Sequence, residues 1–255
     1  MTAPLPATPA WPPKSAPRLF VPGPLTIDTV VAIDGPQAHY LTRVMRIAPG
    51  DCVILCDDQT GEWAAEAADV GKRSLSLRCV TQLRAREAVP DFWLCPALLK
   101  KDRFDLVLEK ACELGVATIR PTLMRRCVAD RINPDRVRAT LIEAAEQCAR
   151  TALPVCDAPV TLTALLANWP DGRTLYFADE TGGAPAAESF DRPGPAGLLV
   201  GPEGGFDPVE RDAIRAHPAS VAITLGPRIL RGETAAIAAC ALWMGIAGDW
   251  GPRQQ

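Results

Sequence analysis

The chain has 255 residues, 48% of them apolar and 22% charged, with a formal net charge of −3. That balance belongs to a folded globular chain and excludes bulk disorder, collagen and coiled coil. The slight acidity excludes a wholesale nucleic-acid coat protein but permits a local basic patch.

Residues 1–17 carry Pro4, Pro6, Pro9, Pro12, Pro13 and Pro17. They read as a disordered or extended leader without the basic start and apolar run of a targeting segment. Residues 18–88 read as a small β-rich domain. Leu19-Phe20-Val21 is a short strand stopped by Pro22-Gly23-Pro24, and Asp51 to Cys56 is a strand after a Pro49-Gly50-Asp51 turn. Ala64 to Val70 and Leu75 to Leu83 follow, the latter with Leu75, Leu77 and Cys79 alternating against Ser76 and Arg78. Pro36 to Arg46 is expected to be helical, with Tyr40, Leu41, Val44 and Ile47 on one face and Arg43 and Arg46 on another.

Near Ala88-Val89-Pro90 the period changes, which divides the chain into an 18–88 barrel and an 89–255 α/β domain. Phe92 to Leu98 is a buried-type strand. Phe104, Val107, Leu108, Ala111 and Cys112 recur at helical spacing, and Gly115 ends that helix. Val116 to Ile119 is the next strand. Asn133-Pro134 caps a helix with Val137, Leu141, Ala144 and Cys148 on one face. Leu175 to Ala178, Leu198 to Val200 and Val221 to Leu225 are further strands. Alternation of strands and helices predicts an α/β layer structure with a mostly parallel sheet. The last helix, Thr234 to Ala247, is apolar almost all round. That pattern suits a helix shared between core and dimer interface, and its apolar run is too short to cross a bilayer. Nine cysteines, none in a C-x-x-C pair, predict reduced buried thiols and a cytoplasmic protein. Only His39 and His217 could assist them as ligands, and no metal site is expected.

Two strands end in Gly-Pro turns: Val200-Gly201-Pro202-Glu203-Gly204-Gly205-Phe206 and Leu225-Gly226-Pro227-Arg228-Ile229-Leu230-Arg231-Gly232-Glu233-Thr234. In open α/β sheets ligands bind beyond the carboxyl ends of strands, and glycine there lets backbone approach a flat ring. Neither a dinucleotide fingerprint, a P-loop nor a nucleophile elbow is present. Asp207-Pro208-x-Glu210 reads as a helix cap with a capping-box partner.

These two loops, with Arg18-Leu19-Phe20-Val21, His39-Tyr40-Leu41, Val44-Met45-Arg46, Pro49-Gly50-Asp51, Lys110 to Val116 and Glu143 to Gln147, resemble the bacterial small-subunit (16S) ribosomal RNA methyltransferases that modify uridine at N3. The resemblance implies a SPOUT-class domain with a deep trefoil knot, an N-terminal PUA-like RNA-binding barrel and a homodimer acting on the small ribosomal subunit. It implies S-adenosylmethionine as donor, held by Ala178, Asp179 and Glu180, by Val200, Gly201, Gly204 and Gly205, and by Leu225, Gly226, Ile229, Leu230 and Thr234. Gly232 stands where the family often has a larger residue.

Loss of the uracil N3 proton leaves negative charge on the base. Arg228 and Arg231 are the residues expected to stabilise it. Glu203 is the residue expected to accept the proton or orient a partner, with a turn or helix-N-terminal role as the alternative. Glu233 is expected to be structural. Arg120, Arg125, Arg126 and Arg131, with Lys72 and Arg73 and with Arg43 and Arg46, form three basic segments expected to meet RNA. A non-catalytic RNA-binding adaptor, a methyltransferase acting on another RNA and a phosphate-binding enzyme are the competing readings.

Overall fold

A computed structural model describes residues 16–71, 73–191 and 194–251. Residues 1–15 of the expected leader, and Lys72, lie outside the described residues. The chain divides into two compact units, residues 1–88 with 149–152, and residues 89–148 with 153–255.

The first unit is built from β1 (Arg18–Phe20), β2 (Val30–Ile33), α1 (Gly35–His39) running into a π-helical turn (Tyr40–Val44), β3 (Cys52–Asp57), β4 (Gly61–Val70) and β5 (Leu75–Arg84). Its sheet order is β1-β3-β4-β5-β2, with β1 parallel to β3 and the other pairs antiparallel. The expected barrel is a half-barrel. No pairing among the described residues joins β1 to β2. Ala38 and Leu41 are buried in its core beside Val53, Leu55, Trp63 and Leu77.

The expected helix face is corrected here. Leu41 is buried and Ile47 packs against the core, but Tyr40 and Val44 are exposed. Met45 N–H donates to the Tyr40 carbonyl at 3.0 Å, five residues back. This wide turn carries one residue more than an α-turn and rotates Tyr40 and Val44 away from the core.

The β3–β4 connection is organised by the buried Asp57. Its carboxylate accepts from Leu25 N–H at 2.7 Å, Gln59 N–H at 2.8 Å, the Thr60 hydroxyl at 2.8 Å and Gly61 N–H at 3.1 Å. Thr60 N–H donates to it as well. Nearby, Glu62 is buried between Arg18 at 2.8 Å and Arg84 at 2.7 Å, which ties β1, β4 and β5 together. Residues 149–152 add to this unit, as Glu87 accepts from Thr151 N–H at 2.6 Å and Ala152 N–H at 3.1 Å.

The second unit comprises β6 (Phe92–Pro96), α2 (Lys101–Glu113), β7 (Thr118–Ile119), β8 (Thr122–Leu123), α3 (Pro134–Cys148), β9 (Val155–Cys156), β10 (Val160–Thr161), α4 (Leu162–Ala167), β11 (Thr174–Ala178), β12 (Ala184–Pro185), α5 (Ala186–Ser189), β13 (Ala196–Val200), α6 (Pro208–Ala216), β14 (Ser220–Thr224) and α7 (Gly232–Ile246). Its main sheet has the order β12-β14-β11-β13-β6-β7-β9, and every pairing in it is parallel. β13 is buried at all five positions, as a sheet covered on both faces requires. Asn133 caps α3 by accepting from Arg136 N–H at 3.1 Å, and Gly115 follows α2 with φ +91°. After β14 the chain crosses back so that α7 packs on β13, β6 and α2. Trp243 stacks on Phe92 with centroids 4.1 Å apart, a contact worth about 0.5–1.5 kcal/mol beyond its buried area.

Candidate active site at three adjacent strand ends

β14, β11 and β13 are neighbours in the sheet and run the same way. The loops that leave their carboxyl ends therefore open on one side, and they enclose a cleft of about 330 Å³. Ala178, Asp179 and Glu180 line it from the first loop, and Val200, Gly201, Glu203, Gly204 and Gly205 from the second. Leu225, Gly226, Arg228, Ile229 and Leu230 line it from the third. Thr234 does not. It is exposed on the first turn of α7, while Gly232 and Ala235, three residues apart and so on one helix face, close the cleft instead.

The glycines are there for stated reasons. Gly205 has φ +69° and Gly226 φ +102°, conformations that other residues adopt only with strain. A Cβ at Gly201 would stand 3.1 Å from the Phe206 ring, which packs edge-on against Phe177.

The acids of the first loop are bound to protein cations. Asp179 accepts from Thr181 N–H at 2.9 Å and its hydroxyl at 2.8 Å, and from Arg215 Nε at 3.0 Å and Nη2 at 2.6 Å. Burial raises its pKa, but the Thr181 and Arg215 hydrogen bonds outweigh that and hold the carboxyl below its ordinary range. Glu180 pairs with Arg211 and accepts Phe206 N–H at 3.2 Å, which joins the first loop to the second.

Glu203 faces the cleft and lies 3.5 Å from Arg103 Nη1. Arg228 and Arg231 are exposed on the third loop without an ion pair among the described residues, and only Arg228 lines the cleft.

The basic segments part company. Arg120 is bound to Asp157 at 2.7 Å and lies 4.4 Å over the Trp93 ring. Arg125 pairs with Asp207 at 3.0 Å, and its N–H reaches Glu210 at 2.8 Å. Glu210 is therefore no capping-box partner; Asp207 alone caps α6, accepting Val209 N–H at 3.1 Å. Arg126 Nη1 donates to the Gly204 carbonyl at 2.7 Å. Arg131 lines a second cleft of about 670 Å³ beside α2 and the start of α3. Arg43, Arg46 and Arg73 are exposed, with no ion pair among the described residues. Sequence reasoning passed over Arg103, Arg211 and Arg215, whose acidic partners lie far along the chain.

Among the described residues no group of three His, Cys, Asp or Glu could hold a metal ion, and no helix is long and apolar enough to cross a membrane.

A glycine-lined cleft at the ends of adjacent parallel strands defines a ligand-binding α/β protein. Residues 86–244 match the model of the RNA methyltransferase domain, and residues 33–78 that of the RNA methyltransferase PUA domain. Ribosomal RNA small subunit methyltransferase E of Rickettsia conorii is 31% identical over 209 residues, 80% of this chain and 85% of the relative. The enzyme of the same name from Neisseria gonorrhoeae, solved with S-adenosylmethionine bound, matches with a TM-score of 0.84 and 26% identity over 92% of this chain and 100% of the other. A protein from Legionella pneumophila, also solved with S-adenosylmethionine bound, matches with a TM-score of 0.81 and 27% identity over 92% of this chain and 99% of the other. The chain belongs to the RNA methyltransferase family that contains the ribosomal RNA small subunit methyltransferases E, with a parallel-sheet α/β domain and a PUA-like N-terminal domain.

Proposed function

We propose that this chain methylates N3 of a specific uridine in 16S ribosomal RNA on the small ribosomal subunit, using S-adenosylmethionine and acting as a homodimer in the cytoplasm. The observation that carries this reading is the convergence of three loops on one cleft, in a chain whose relatives hold that donor. The residues fit the donor. The glycine-rich backbones of the second and third loops can approach an adenine edge, and the cleft lies within the roughly 300–1,000 Å³ usual for small-ligand sites. The deep trefoil knot is carried to this chain by its likeness to that family alone.

Bound in the cleft, the donor supplies a methyl group on a sulfonium whose departing thioether is neutral, so no acid need assist it. The protein's task is to place the uracil, remove its proton and exclude water. Glu203 faces the cleft and takes the N3 proton. Arg228 at the cleft rim and Arg231 beside it offset the negative charge that grows on the base. The exposed face of the π-helical turn, with Arg43 and Arg46 around Tyr40, holds RNA by phosphate contacts and stacking. Ala238 and Ile246 are exposed on α7, and Ile229, which lines the cleft, is 89% exposed. These apolar positions support a second copy packing near the donor cleft. Cysteines outside any disulfide suit the cytoplasm.

The test is transfer of labelled methyl from S-adenosylmethionine to small subunits lacking the modification, with the product located by reverse-transcription arrest. A single arrest site at a uridine in 16S RNA is expected. Salt-sensitive RNA binding with neither donor binding nor methyl transfer would favour the adaptor reading.

A further inference from the structure

We propose that Arg103, anchored by the buried Glu233, is a positioning residue that holds the Glu203 carboxylate at the rim of the donor cleft. The inference rests on Glu203 being the proton acceptor. Arg103 stands on the first turn of α2, between two carboxylates that are far apart in sequence. Its Nη1 is 3.5 Å from Glu203 Oε1 and its Nε is 3.8 Å from Glu233 Oε1. Neither distance is that of a tight bond, so the guanidinium is shared between the two acids.

The acids differ in environment. The side chain of Glu203 is 23% exposed and lines the cleft, whereas that of Glu233 is 10% exposed. Glu233 Oε2 is buried with no hydrogen-bond partner among the described residues. An ionised carboxylate buried in this way is costly unless a cation or helix N-terminus compensates it. Glu233 has both, as the second residue of α7 and a neighbour of Arg103. A simple surface ion pair needs no second, buried acid behind its cation. The arrangement fits an electrostatic anchor: Glu233 attracts the guanidinium from its Nε side at 3.8 Å, and Nη1 lies toward Glu203 at 3.5 Å.

The anchor matters in the chemical step. As the N3–methyl bond forms, sulfur keeps the electron pair of its bond to the methyl carbon. The N3–H bond breaks, and the proton passes to a Glu203 oxygen. Glu203 is then neutral and its pull on Nη1 weakens. The charge of Glu233 keeps Arg103 in place, so Glu203 returns to the same position once it is deprotonated by water.

The experiment measures kcat for methyl transfer to unmodified small subunits and, separately, calorimetric Kd for S-adenosylmethionine, using the full chain. Glu203→Gln is expected to lose most of the rate. Arg103→Ala should lower kcat by about ten- to a hundredfold, with donor Kd changed less than about twofold. Arg103→Lys, which keeps the charge and the fold, should recover part of that loss, and Glu233→Gln should lower kcat in the same way but less. In the Glu203→Gln background, Arg103→Ala should cost nothing further. Multiplying losses in the double variant would overturn the proposal, because Arg103 would then act through another group. So would an unchanged kcat for Arg103→Ala, or a donor Kd that rises as far as kcat falls. A wild-type rate for Glu203→Gln would remove the proton acceptor and the proposal with it. That failure is separate from an additive cycle, in which Glu203 stands and only Arg103 falls.

Discussion

Arg126 Nη1 donates to the Gly204 carbonyl at 2.7 Å, so an arginine from the segment between β8 and α3 holds the tip of the second cleft loop. Its aliphatic chain also covers Gly204, with Cδ 3.4 Å from where a Cβ would be. Arg126→Ala is therefore expected to weaken donor binding about three- to tenfold, the effect of losing one exposed charge-assisted hydrogen bond. Calorimetry with S-adenosylmethionine reads the change. An unaltered Kd together with weaker RNA binding would return Arg126 to the RNA surface.

Gly205→Ala carries two costs. The residue has φ +69°, and a Cβ there would stand 2.6 Å from Glu180 Oε1. Gly172 has a similar φ of +77° but open space around it and no place in the cleft. Both alanine variants should lose about 1–2 kcal/mol of stability from the left-handed backbone. Only Gly205→Ala should also raise the donor Kd, by about tenfold. Equal donor affinity in the two variants would show that the Glu180–Phe206 link does not shape the site.

Asp57 sets an acid limit on the first unit. Burial raises its pKa, but hydrogen bonds from Thr60, Gln59 and Leu25 outweigh this and hold it below its ordinary 3.8. A folded pKa below the unfolded one contributes stability that is complete above the unfolded value and is lost as pH falls through the folded one. Asp57→Asn should thus cost about 2–3 kcal/mol at neutral pH. The gap from the native chain should narrow below about pH 4. Urea unfolding at pH 7 and at pH 3, followed through Trp63, gives both numbers, and a pH-independent gap would contradict the assignment.

Thiol chemistry reports on the core of the second unit. Burial pushes the Cys95 thiol up to about 12 and raises that of Cys240 still further. Cys148 is the exposed cysteine, at the end of α3. Iodoacetamide at pH 8 should label Cys148 first and reach Cys95 and Cys240 only when the chain unfolds. Mass mapping of the labelled peptides is the check, and early label on Cys240 would mean that α7 leaves the sheet.

Periodicity made the sheet and its loops legible. Apolar runs such as Leu175 to Ala178 mark strands buried on both faces, and the Gly-Pro turns mark where they end. Local pattern could not show what depends on partners distant in the chain. Arg120, Arg125 and Arg126 look like one basic stretch, yet they meet Asp157, Asp207 and Gly204, from 37 to 82 residues away. Arg103 looks like one more charge in Lys100-Lys101-Asp102-Arg103, because its acids lie about 100 residues and more along the chain. The π-helical turn escaped for a different reason. It differs from an α-helix by a single residue per turn, which leaves the apolar spacing plausible while moving Tyr40 and Val44 into solvent. β7 lies inside the expected strand at Val116 to Ile119, whereas the two-residue strands β8, β9 and β10 are too short to carry any period.

That same turn supplies the last prediction. Arg43 and Arg46 have no ion pair among the described residues, and Tyr40 is exposed beside them. Each phosphate contact contributes about 0.7–0.9 to the slope of log K against log salt. The double variant Arg43→Ala, Arg46→Ala should therefore flatten that slope by about 1.4–1.8, with donor affinity unchanged. Tyr40→Ala should weaken RNA binding by about 1–3 kcal/mol without altering the slope, since stacking releases no counterions. Arg120→Ala is the contrast: its charge is held by Asp157 and Trp93, so it should lower stability and leave the slope alone. A slope insensitive to Arg43 and Arg46 would move the RNA contact off this face, to other exposed cations such as Arg73 and Arg131.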